Sequence, residues 1–472
     1  MGQAIVWFRR DLRLADNPAL QAALDAGLVP VPVYVHAPSE EEPWEPGPAS
    51  NAWLHRSLEA IDAELRRLGS RLVVRRGDSL GELQNLVEQT QAEAVFWNRL
   101  YEPQCIQRDA GIEQAFASRG LVVKSFNAAL FTEPWTLATG AGDPYRVFTP
   151  FWRNAVAWVA SQSPLPAPLT LPVPDPAISG VSIESLQLSP RLGWDAGFWE
   201  SWQPGEAGAA DLLDAFVEGA AHGYKEQRNL PDRTGTSKLS PHLHFGEISP
   251  RQVSARLLSV QKPAIPESDR TQYLAELGWR EFSHHLLFHY PHTPQHNLSA
   301  RFERFPWAQV DPQLLRKWQR GQTGVPLVDA GMRELWHTGW MHNRVRMVVA
   351  SFLTKNLRYH WSYGASWFWH TLVDADLANN TQGWQWVAGT GADAAPYFRI
   401  FNPVTQAERF DPRGSYIRHW IPELAGLPAP ALFAPWQHPD AAARLAPDYP
   451  ASPIVDLGAS REAALDAYQR SK

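Results

Sequence analysis

Short apolar runs alternate with amphipathic stretches along residues 1–132. The runs are compact and rich in β-branched or aromatic residues, which is typical of buried strands; they lie at residues 5–8, 29–36, 71–75, 94–97 and 121–126. Between them apolar residues recur at helical spacing, and Asn17-Pro18 places a capping residue before proline, a helix start signal. This alternation predicts an α/β domain: a five-stranded, doubly wound parallel sheet with helices on both faces.

The turn after the first strand reads Phe8-Arg9-Arg10-Asp11. A dinucleotide-binding fold has a glycine-rich turn there, because its backbone must approach a pyrophosphate closely. The pattern therefore predicts a doubly wound sheet without the dinucleotide fingerprint. Residues 389–394 match that fingerprint formally, but no strand pattern precedes them, so we discount the match.

Residues 133–205 form a segment of different composition. Eleven prolines fall between Pro134 and Pro204 with little periodicity, which is typical of a long connector over the surface. We expect one short helix in it, near residues 151–160. Over residues 206–472 helical periodicity replaces strand patterns, which predicts a large all-α domain. Its helical stretches are 211–221, 270–288, 312–318, 325–338, 343–359 and 365–374.

Composition narrows the class of protein. The 472 residues include 22 Trp, 40 Pro and one cysteine, Cys105. One cysteine excludes a disulfide framework and a cysteine metal cluster and suits a reducing compartment. Because no uncharged apolar run approaches the ~18 residues of a membrane span, we expect a cytoplasmic protein with no membrane contact and no metal.

The net charge of −6 argues against nucleic-acid binding by the whole surface. The charge is unevenly distributed, however: residues 301–360 hold ten Lys or Arg and four Asp or Glu. A solvated helical face explains such a surplus equally well.

Candidate chemistry is concentrated in residues 374–386, D-A-D-L-A-N-N-T-Q-G-W-Q-W. A plain core helix shows an apolar stripe with charge on its outer face. Here acids, amides and indoles are interleaved, as a site for a polar aromatic ligand requires. The alternative is a buried core in which Trp N–H groups find amide partners; it leaves two acids and two adjacent Asn unexplained.

Three further motifs carry polar groups at helical spacing. Thr236, Ser237 and Ser240 precede a helix that starts near Pro241, which suits a phosphate or ordinary capping. Glu276, Trp279 and Arg280 share one helix face and could bond and stack on a base-like ring, or form a surface ion pair beside a packed Trp. Asn343 and Met347 also share a face; Asn can pair with a base edge, whereas Met can simply fill a core.

His285 and His289 are four residues apart, as in some zinc helices. No Glu follows His285 and no cysteine is near, so we interpret the pair as packing or phosphate-facing histidines.

Taken together, these motifs resemble the DNA photolyase and cryptochrome family along nearly the whole chain. Within the family they are most similar to cyclobutane pyrimidine dimer (deoxyribodipyrimidine) photolyases. The matching segments are W-F-R-R-D-L-R-L-A-D-N-P-A-L at 7–20, G-T-S-K-L-S at 235–240, E-L-G-W-R-E-F at 276–282, T-G-W-M-H-N-R-V-R-M at 338–347 and D-A-D-L-A-N-N-T-Q-G-W-Q-W at 374–386.

The resemblance implies FAD, reduced in the active state, buried in the helical domain. By motif match its binding residues are Tyr224, Thr236, Ser237, Lys238, Leu239, Ser240, Arg344, Asp374, Ala375, Asp376 and Asn380. Asp374 is expected close to Arg344, and Asn380 matches the residue facing flavin N5. An uncharged amide there suits an anionic reduced flavin, since a carboxylate would repel it.

The resemblance also implies a partner, UV-damaged DNA, double- or single-stranded, whose pyrimidine dimer is flipped out of the stack. Catalytic residues would be Glu276, Asn343, Met347 and Asn380, and the residues binding DNA or the dimer would be Arg228, Glu276, Trp279, Arg280, Asn343, Arg344, Met347 and Trp386. Relatives that repair the (6-4) photoproduct carry His where this chain has Asn343 and Met347. This difference favours the cyclobutane dimer.

Light would excite the reduced flavin, which gives the dimer an electron and recovers it after the ring splits. Oxidised flavin would be reduced through Trp384, Trp361 and Trp307, of which Trp307 matches only with a one-residue gap. A second, antenna chromophore, methenyltetrahydrofolate or a deazaflavin, stays open. Residues 98–105 lie where such contacts occur, but Gln104-Cys105 replaces the Asn-Glu pair of well-known folate binders.

Alternatives from other classes predict different behaviour. A cryptochrome would sense blue light without repair; signalling members usually have a long C-terminal extension, and this chain stops about 70 residues after Phe401. An interaction protein with a Trp-rich surface would be colourless when purified. A flavin reductase would need a nicotinamide fingerprint. We expect a monomeric carbon–carbon lyase that repairs DNA.

Overall fold

The computed structural model describes residues 2–261, 263–394 and 398–471. Five parallel strands form one sheet in the order β3-β2-β1-β4-β5. Their bounds are Gln3–Phe8 (β1), Val29–His36 (β2), Val73–Arg76 (β3), Ala94–Asn98 (β4) and Val122–Phe126 (β5). All five predicted strands are confirmed, with ends displaced by at most two residues.

Four helices connect the strands: Pro18–Asp25 (α1), Pro48–Arg67 (α2), Ser79–Thr90 (α3) and Pro103–Ala117 (α4). Helix α1 begins as predicted, since the Asn17 side chain accepts a hydrogen bond from the Leu20 N–H at 3.1 Å. Strand β1 is buried on both faces: Val6 packs in the core beside α1 and α2, and Trp7 in the core beside α3 and α4. The doubly wound arrangement follows from this two-sided burial.

The proline-rich segment over residues 133–205 lies partly against the sheet domain. The Leu171 N–H bonds the Leu68 carbonyl and the Val181 N–H bonds the Val74 carbonyl, both at 2.9 Å. The segment contains two α-helices, Phe148–Ser161 (α5) and Phe198–Ser201 (α6). Helix α5 is longer than expected because its apolar face packs against Phe282 and Leu286 of the helical region.

Helices make up the regular structure of the rest of the described chain, as predicted. They are Glu206–Glu218 (α7), Tyr224–Gln227 (α8), Ser240–Phe245 (α9), Pro250–Ser259 (α10), Glu267–His289 (α11), Pro312–Gln319 (α12), Pro326–Thr338 (α13), Asn343–Ser351 (α14), Trp361–Thr371 (α15), Leu377–Ala388 (α16), Pro403–Phe410 (α17), Ser415–Trp420 (α18), Pro439–Leu445 (α19) and Leu457–Arg470 (α20). Among the described helices none is long and apolar enough to cross a membrane.

Two helix boundaries differ from the expectation. The stretch predicted as one helix over 343–359 leaves α-helical geometry at Ser351 and continues as a π-helical turn, Phe352–Asn356. The helix predicted over 365–374 begins at Trp361, because the His360 side chain caps it, and ends at Thr371. Capping by histidine is not among the usual helix start signals.

The sheet and the helical region meet closely at the end of α9. Gly246 has φ +67°, and a Cβ there would lie 2.2 Å from the Arg10 carbonyl oxygen. Only glycine adopts this conformation cheaply at so short an approach. The contact holds the end of β1 beside α9, which borders the cavity described next.

Candidate active site

A cavity of about 620 Å³ lies among α9, α11, α14, α15 and α16. Its volume falls within the ~300–1,000 Å³ typical of ligand pockets. Fifteen of the predicted site residues line it: Tyr224, Arg228, Ser237, Ser240, Glu276, Trp279, Arg280, Asn343, Arg344, Met347, Asp374, Asp376, Asn380, Trp384 and Trp386. The helical region thus brings together motifs that lie up to 162 residues apart in the chain, from Tyr224 to Trp386.

Four predicted cofactor residues do not line this cavity. Lys238 has φ +53°, and its ammonium lies 5.7 Å and 5.6 Å from the rings of Trp202 and Trp340. Leu239 and Ala375 are each 1% exposed within apolar cores, and Thr236 lies beside the lining residue Ser237. The side chains of Lys238, Leu239 and Ala375 therefore lie outside the cavity lining, and their assignment to cofactor binding stays a prediction.

Helix α16 presents the central polar stretch to the cavity. Asp376 caps the helix, since its Oδ1 accepts the Asn379 N–H at 2.8 Å. Asn380 and Trp384 are then one turn apart on the same face. The Asn380 amide Nδ2 donates to the Ala365 carbonyl of α15 at 3.0 Å, so its orientation is set by the protein.

The Asp376 carboxylate faces two imidazoles inside the cavity wall. Its Oδ2 lies 3.5 Å from His284 Nε2 and 3.8 Å from His244 Nδ1. Burial alone would raise the pKa of Asp376, but His284 and His244 hold it well below its usual range. Burial opposes the charged form of His284 as well, yet the Asp376 carboxylate raises the pKa of that imidazole.

Asp374 is paired with Arg346 and not, as expected, with Arg344. Arg346 Nη2 lies 2.8 Å and 3.1 Å from the two carboxylate oxygens. Arg344, two residues earlier on α14, points elsewhere: it bonds Asn229 Oδ1 and lies 4.4 Å from the Phe410 ring centroid. Residues two apart on a helix do not share a face, so the two arginines cannot exchange roles.

One wall of the cavity combines an acid, a base and stacked rings. Glu276 Oε2 lies 2.8 Å from Arg228 Nη2, and burial raises the pKa of Glu276 despite that arginine. Trp279 stacks on Phe148 of α5, with ring centroids 3.8 Å apart and planes 9° from parallel. Phe148 was missed by the sequence analysis because it lies in the segment interpreted as a connector.

Arg280 lines the same wall but was expected to contact DNA phosphates. Its side chain is 12% exposed, and Nη1 donates to the Ala129 carbonyl at 2.7 Å. The Ala129 carbonyl therefore holds the Arg280 guanidinium in the cavity wall, and its contact with DNA phosphates stays a prediction.

Basic groups surround the mouth of the cavity, including two that sequence reasoning missed. Arg344, Arg399, Arg409 and Phe410 line an adjoining open depression of about 460 Å³. Burial, followed by the charges of Arg228, Arg409 and Arg399, lowers the pKa of Arg344. Because these positive charges repel one another, binding of a polyanion would stabilise the cluster. Arg399 and Arg409 lie outside the 301–360 window that drew attention to positive charge.

Of the three predicted electron-transfer tryptophans, Trp384 lies on α16, Trp361 begins α15, and Trp307 precedes α12. Trp384 packs against Gly364, where a Cβ would lie 2.0 Å from its Cη2 atom. Trp361 lies one turn earlier on α15, is 1% exposed, and donates from Nε1 to Asn297 Oδ1 at 2.8 Å. Trp307 is half-buried. Exposure thus differs among the three indoles: Trp384 lines the cavity, Trp361 is buried and Trp307 is half-buried.

The segment considered for an antenna chromophore is engaged with the protein itself. Asn98 Nδ2 donates to Asp11 Oδ2 and Asn17 Oδ1, Glu102 pairs with Arg10 at 2.6 Å, and Cys105 is fully buried. A nearby cavity at the carboxyl end of the sheet measures about 60 Å³, well below the usual size of a ligand pocket.

His285 and His289 are packing groups. Both bond the Pro134 carbonyl, at 3.1 Å and 3.0 Å, and His285 Nε2 accepts the Tyr145 N–H. Burial, and then the neighbouring His289, lower the pKa of His285 to about 4.

Comparisons with known proteins agree with this geometry. The family models for DNA photolyase and for the FAD-binding domain of DNA photolyase match residues 4–170 and 273–470. A deoxyribodipyrimidine photo-lyase of Agrobacterium fabrum is 44% identical over 99% of this chain and 98% of its own length. Cryptochrome-1 of Arabidopsis thaliana is 39% identical over 97% of this chain and 68% of its own.

Among solved structures, the crystal structure of a bacterial class III photolyase from Agrobacterium tumefaciens superposes with a TM-score of 0.95 at 44% identity. The match covers 100% of this chain and 98% of that one. Identity of this level over both full lengths, together with the shared fold and the assembled motifs, shows the family. The chain belongs to the DNA photolyase family.

Proposed function

We propose that this protein is a deoxyribodipyrimidine photo-lyase that splits cyclobutane pyrimidine dimers in DNA by light-driven electron transfer from reduced FAD. The observation that carries the proposal is the single cavity in which Glu276, Trp279, Asn343, Met347 and Trp386 lie beside Asn380 and Trp384. Groups suited to a pyrimidine dimer and groups suited to a flavin thus line the same cavity.

The cavity suits FAD in size and in polarity. Buried Gln382 Nε2 on its wall has no hydrogen-bond partner within the described chain, and such a donor is normally satisfied by a ligand or water. Ser237 and Ser240 supply hydroxyls at one end, where the phosphates would lie together with Tyr224 and Thr236. Asp374, Asp376 and Asn380 would hold the flavin, with Arg346 taking the place first assigned to Arg344.

This chain's residues would govern the charge around the cofactor. Asn380 is uncharged, and the Asp376 carboxylate is compensated by His284, so neither adds an unbalanced negative charge beside an anionic flavin. When bound and excited by light, reduced FAD supplies one electron to the dimer and regains it after the two carbon–carbon bonds break. Repair thus causes no net redox change.

The substrate residues would divide the work by chemistry. Trp279, held by Phe148, and Trp386 would contact the apolar faces of the dimer. Glu276 and Asn343 would bond its N–H and carbonyl edges, and Met347 would fill the space that histidine occupies in (6-4) photolyases. Arg228, Arg344, Arg399 and Arg409 would bind phosphates around the flipped nucleotides.

Three supporting assignments belong to the same proposal. Trp384, Trp361 and Trp307 would re-reduce oxidised flavin. The protein would act as a monomer. It would work in the cytoplasm, at the nucleoid in a bacterial cell, on double- and single-stranded DNA. The domains would be residues 1–132, 133–205 and 206–472. A second, antenna chromophore stays open.

The deciding experiment uses the purified flavoprotein, reduced photochemically, and a thymine-dimer oligonucleotide. We expect dimer loss in blue light and none in darkness. Bound FAD that photoreduces while the dimer persists would instead support a cryptochrome-type sensor, the alternative function; cryptochrome-1 is 39% identical to this chain, less than the 44% of the photo-lyase. Protein that cannot be loaded with FAD would contradict both functions.

Asn343→Ala tests the substrate wall separately. We expect weaker binding of the dimer oligonucleotide by roughly tenfold, the value of one lost hydrogen bond of ~1–1.5 kcal/mol. Asn51→Ala, on α2 in the sheet domain, is the matched control and should leave binding unchanged. Equal binding by Asn343→Ala and the parent protein would remove Asn343 from the site.

A further inference from the structure

An imidazole lies between the two outer tryptophans of the proposed electron route. The ring centroid of His360 is 5.2 Å from that of Trp361 and 5.2 Å from that of Trp307. Trp307 also contacts Phe305, with ring centroids 4.5 Å apart. Among the described residues, the Phe305 ring makes no ring contact with Trp361. His360 therefore contacts both the buried indole of Trp361 and the half-buried indole of Trp307.

We propose that His360 is a positioning residue for photoreduction, bridging Trp361 and Trp307 so that an electron from the surface reaches the buried indole. This inference rests on the proposed roles of Trp384, Trp361 and Trp307. It assigns to His360 a function beyond the cap that it supplies to α15.

The hydrogen bonds of His360 hold its ring in a defined tautomer. Nδ1 accepts from the Ser362 N–H at 3.3 Å and from Ser362 Oγ at 2.8 Å. An Nδ1 that accepts from a backbone N–H carries no proton, so the neutral ring is protonated at Nε2. The hydrogen bond from the Ser362 N–H also orients the imidazole ring, because that N–H belongs to the first turn of α15.

A neutral ring is the form that an electron route needs here. Burial lowers the pKa of His360, which favours the uncharged imidazole. A positive charge 5.2 Å from both indoles would oppose removal of an electron from either one, because like charges repel strongly at such separations. The neutral His360 ring keeps Trp307 in contact with the proposed electron route and adds no positive charge that would oppose oxidation of the indoles.

The electron balance of the route is simple. In the proposed route, light would let oxidised FAD bound in the cavity take one electron from Trp384, which Trp361 and then Trp307 would replace. The oxidised Trp307 would regain its electron from an external thiol. Two such passes would oxidise two thiols to one disulfide and supply the two electrons of reduced FAD, with protons from the thiols. Each indole returns to its starting state.

Two substitutions separate the ring from the cap. His360→Asn keeps a capping side chain but removes the ring, whereas His360→Phe keeps a ring and removes the cap. The measurement is the rate at which bound oxidised FAD is reduced under blue light with excess thiol, normalised to FAD content. We expect photoreduction several-fold slower in His360→Asn at unchanged melting temperature, and a rate near the parent value in His360→Phe.

A laser-flash experiment adds a signature that a merely structural role would not produce. In His360→Asn the oxidised indole should recombine with the reduced cofactor faster, because the electron from Trp307 arrives late. Unchanged photoreduction in His360→Asn, or equally slow photoreduction in both variants, would overturn the bridging role.

Trp384→Phe distinguishes failure of the inference from failure of the route. If Trp384→Phe blocks photoreduction while His360→Asn does not slow it, the route stands and the role of His360 is wrong. If Trp384→Phe photoreduces like the parent protein, the proposed tryptophan route fails, and the bridging role fails with it.

Discussion

At the scale of single residues, the Asp376–His284 pair concentrates opposite charges inside the cavity wall. His284 Nδ1 donates to the Arg280 carbonyl at 3.0 Å while Nε2 faces Asp376. Both nitrogens therefore have acceptors, as an imidazolium requires. Asp376 performs two tasks, since its other oxygen caps α16.

Asp376→Asn separates these tasks because asparagine also caps helices. We expect the FAD-loaded protein to lose on the order of 2 kcal/mol of unfolding free energy, since the His284 imidazolium loses a charged hydrogen bond. Urea unfolding measures it, with the exposed Asp466→Asn as control. A loss as small as that of the control would show that the pair contributes nothing.

The same pair gives a pH dependence with a defined sign. The pKa of His284 is raised above its ordinary 6.5, so its stabilisation is complete below pH 6.5 and is lost as the pH rises through the raised value. We expect the parent protein to lose unfolding free energy in that window and Asp376→Asn to lose less of it. Parallel pH profiles for the two proteins would contradict the coupling.

Glu276 and Arg228 form the pair on the substrate side of the cavity. We expect Glu276→Gln to weaken binding of dimer DNA by about tenfold to a hundredfold, because a charged acceptor contributes ~1.5–3 kcal/mol to a hydrogen bond. Binding of undamaged DNA should not weaken, since Arg228 loses its anionic partner and keeps its charge for phosphates. Comparing dissociation constants for the two DNAs tests this; an equal loss for both would assign Glu276 a structural role.

At the scale of elements, the approach of α15 to α16 determines where Trp384 lies. Gly364 permits this approach, because any Cβ there would lie 2.0 Å from the Trp384 ring. Burial of the indole against helix backbone then leaves Trp384 on the cavity wall, with Phe368 edge-on at 5.0 Å.

Gly364→Ala should force these helices apart. We expect a loss of about 1–3 kcal/mol from overpacking and slower FAD photoreduction, because the indole must move. Thermal unfolding and blue-light photoreduction are the measurements. The control is Gly111→Ala in α4, where a Cβ meets nothing within 4 Å and alanine should stabilise the helix slightly. A Gly364→Ala protein as stable as the control would show that α15 and α16 adjust freely.

At the scale of the whole molecule, a protein of net charge −6 has a local cluster of four arginines at the mouth of the cavity. Arg228 and Arg344 line the cavity, and Arg399 and Arg409 join Arg344 in the adjoining depression. The field of such a cluster attracts DNA locally while the acidic remainder limits non-specific binding.

Arg409→Gln should reduce both DNA affinity and its salt dependence. If Arg409 neutralises one phosphate, the slope of log affinity against log salt concentration should become shallower by ~0.9. The matched control is Arg119→Gln, at the far end of α4 beside Glu88, which should leave the slope unchanged. The measurement is a salt titration of oligonucleotide binding; an unaltered slope in Arg409→Gln would exclude a phosphate contact.

Local patterns were sufficient for much of the molecule. Some features depend only on neighbours in the chain, and their prediction is confirmed. They include the strand at residues 29–36, the Asn17 cap and the helix predicted over residues 270–288. The motif at 374–386 indicated a ligand site for a similar reason: acids and amides among indoles are costly to bury without a partner. These features depend on the spacing of residues along the chain, so the sequence by itself determined them.

The tertiary structure alone decided which side chains meet. Four contacts join residues that are distant in sequence. Asp374 pairs with Arg346 instead of Arg344, and Arg280 bonds the Ala129 carbonyl. Phe148 stacks on Trp279, and His360 contacts Trp307. Such contacts depend on how helices pack and rotate, and helix rotation is set by close-packed neighbours along the whole element. Sequence spacing states which residues share a helix face; only the packed fold states what that face meets.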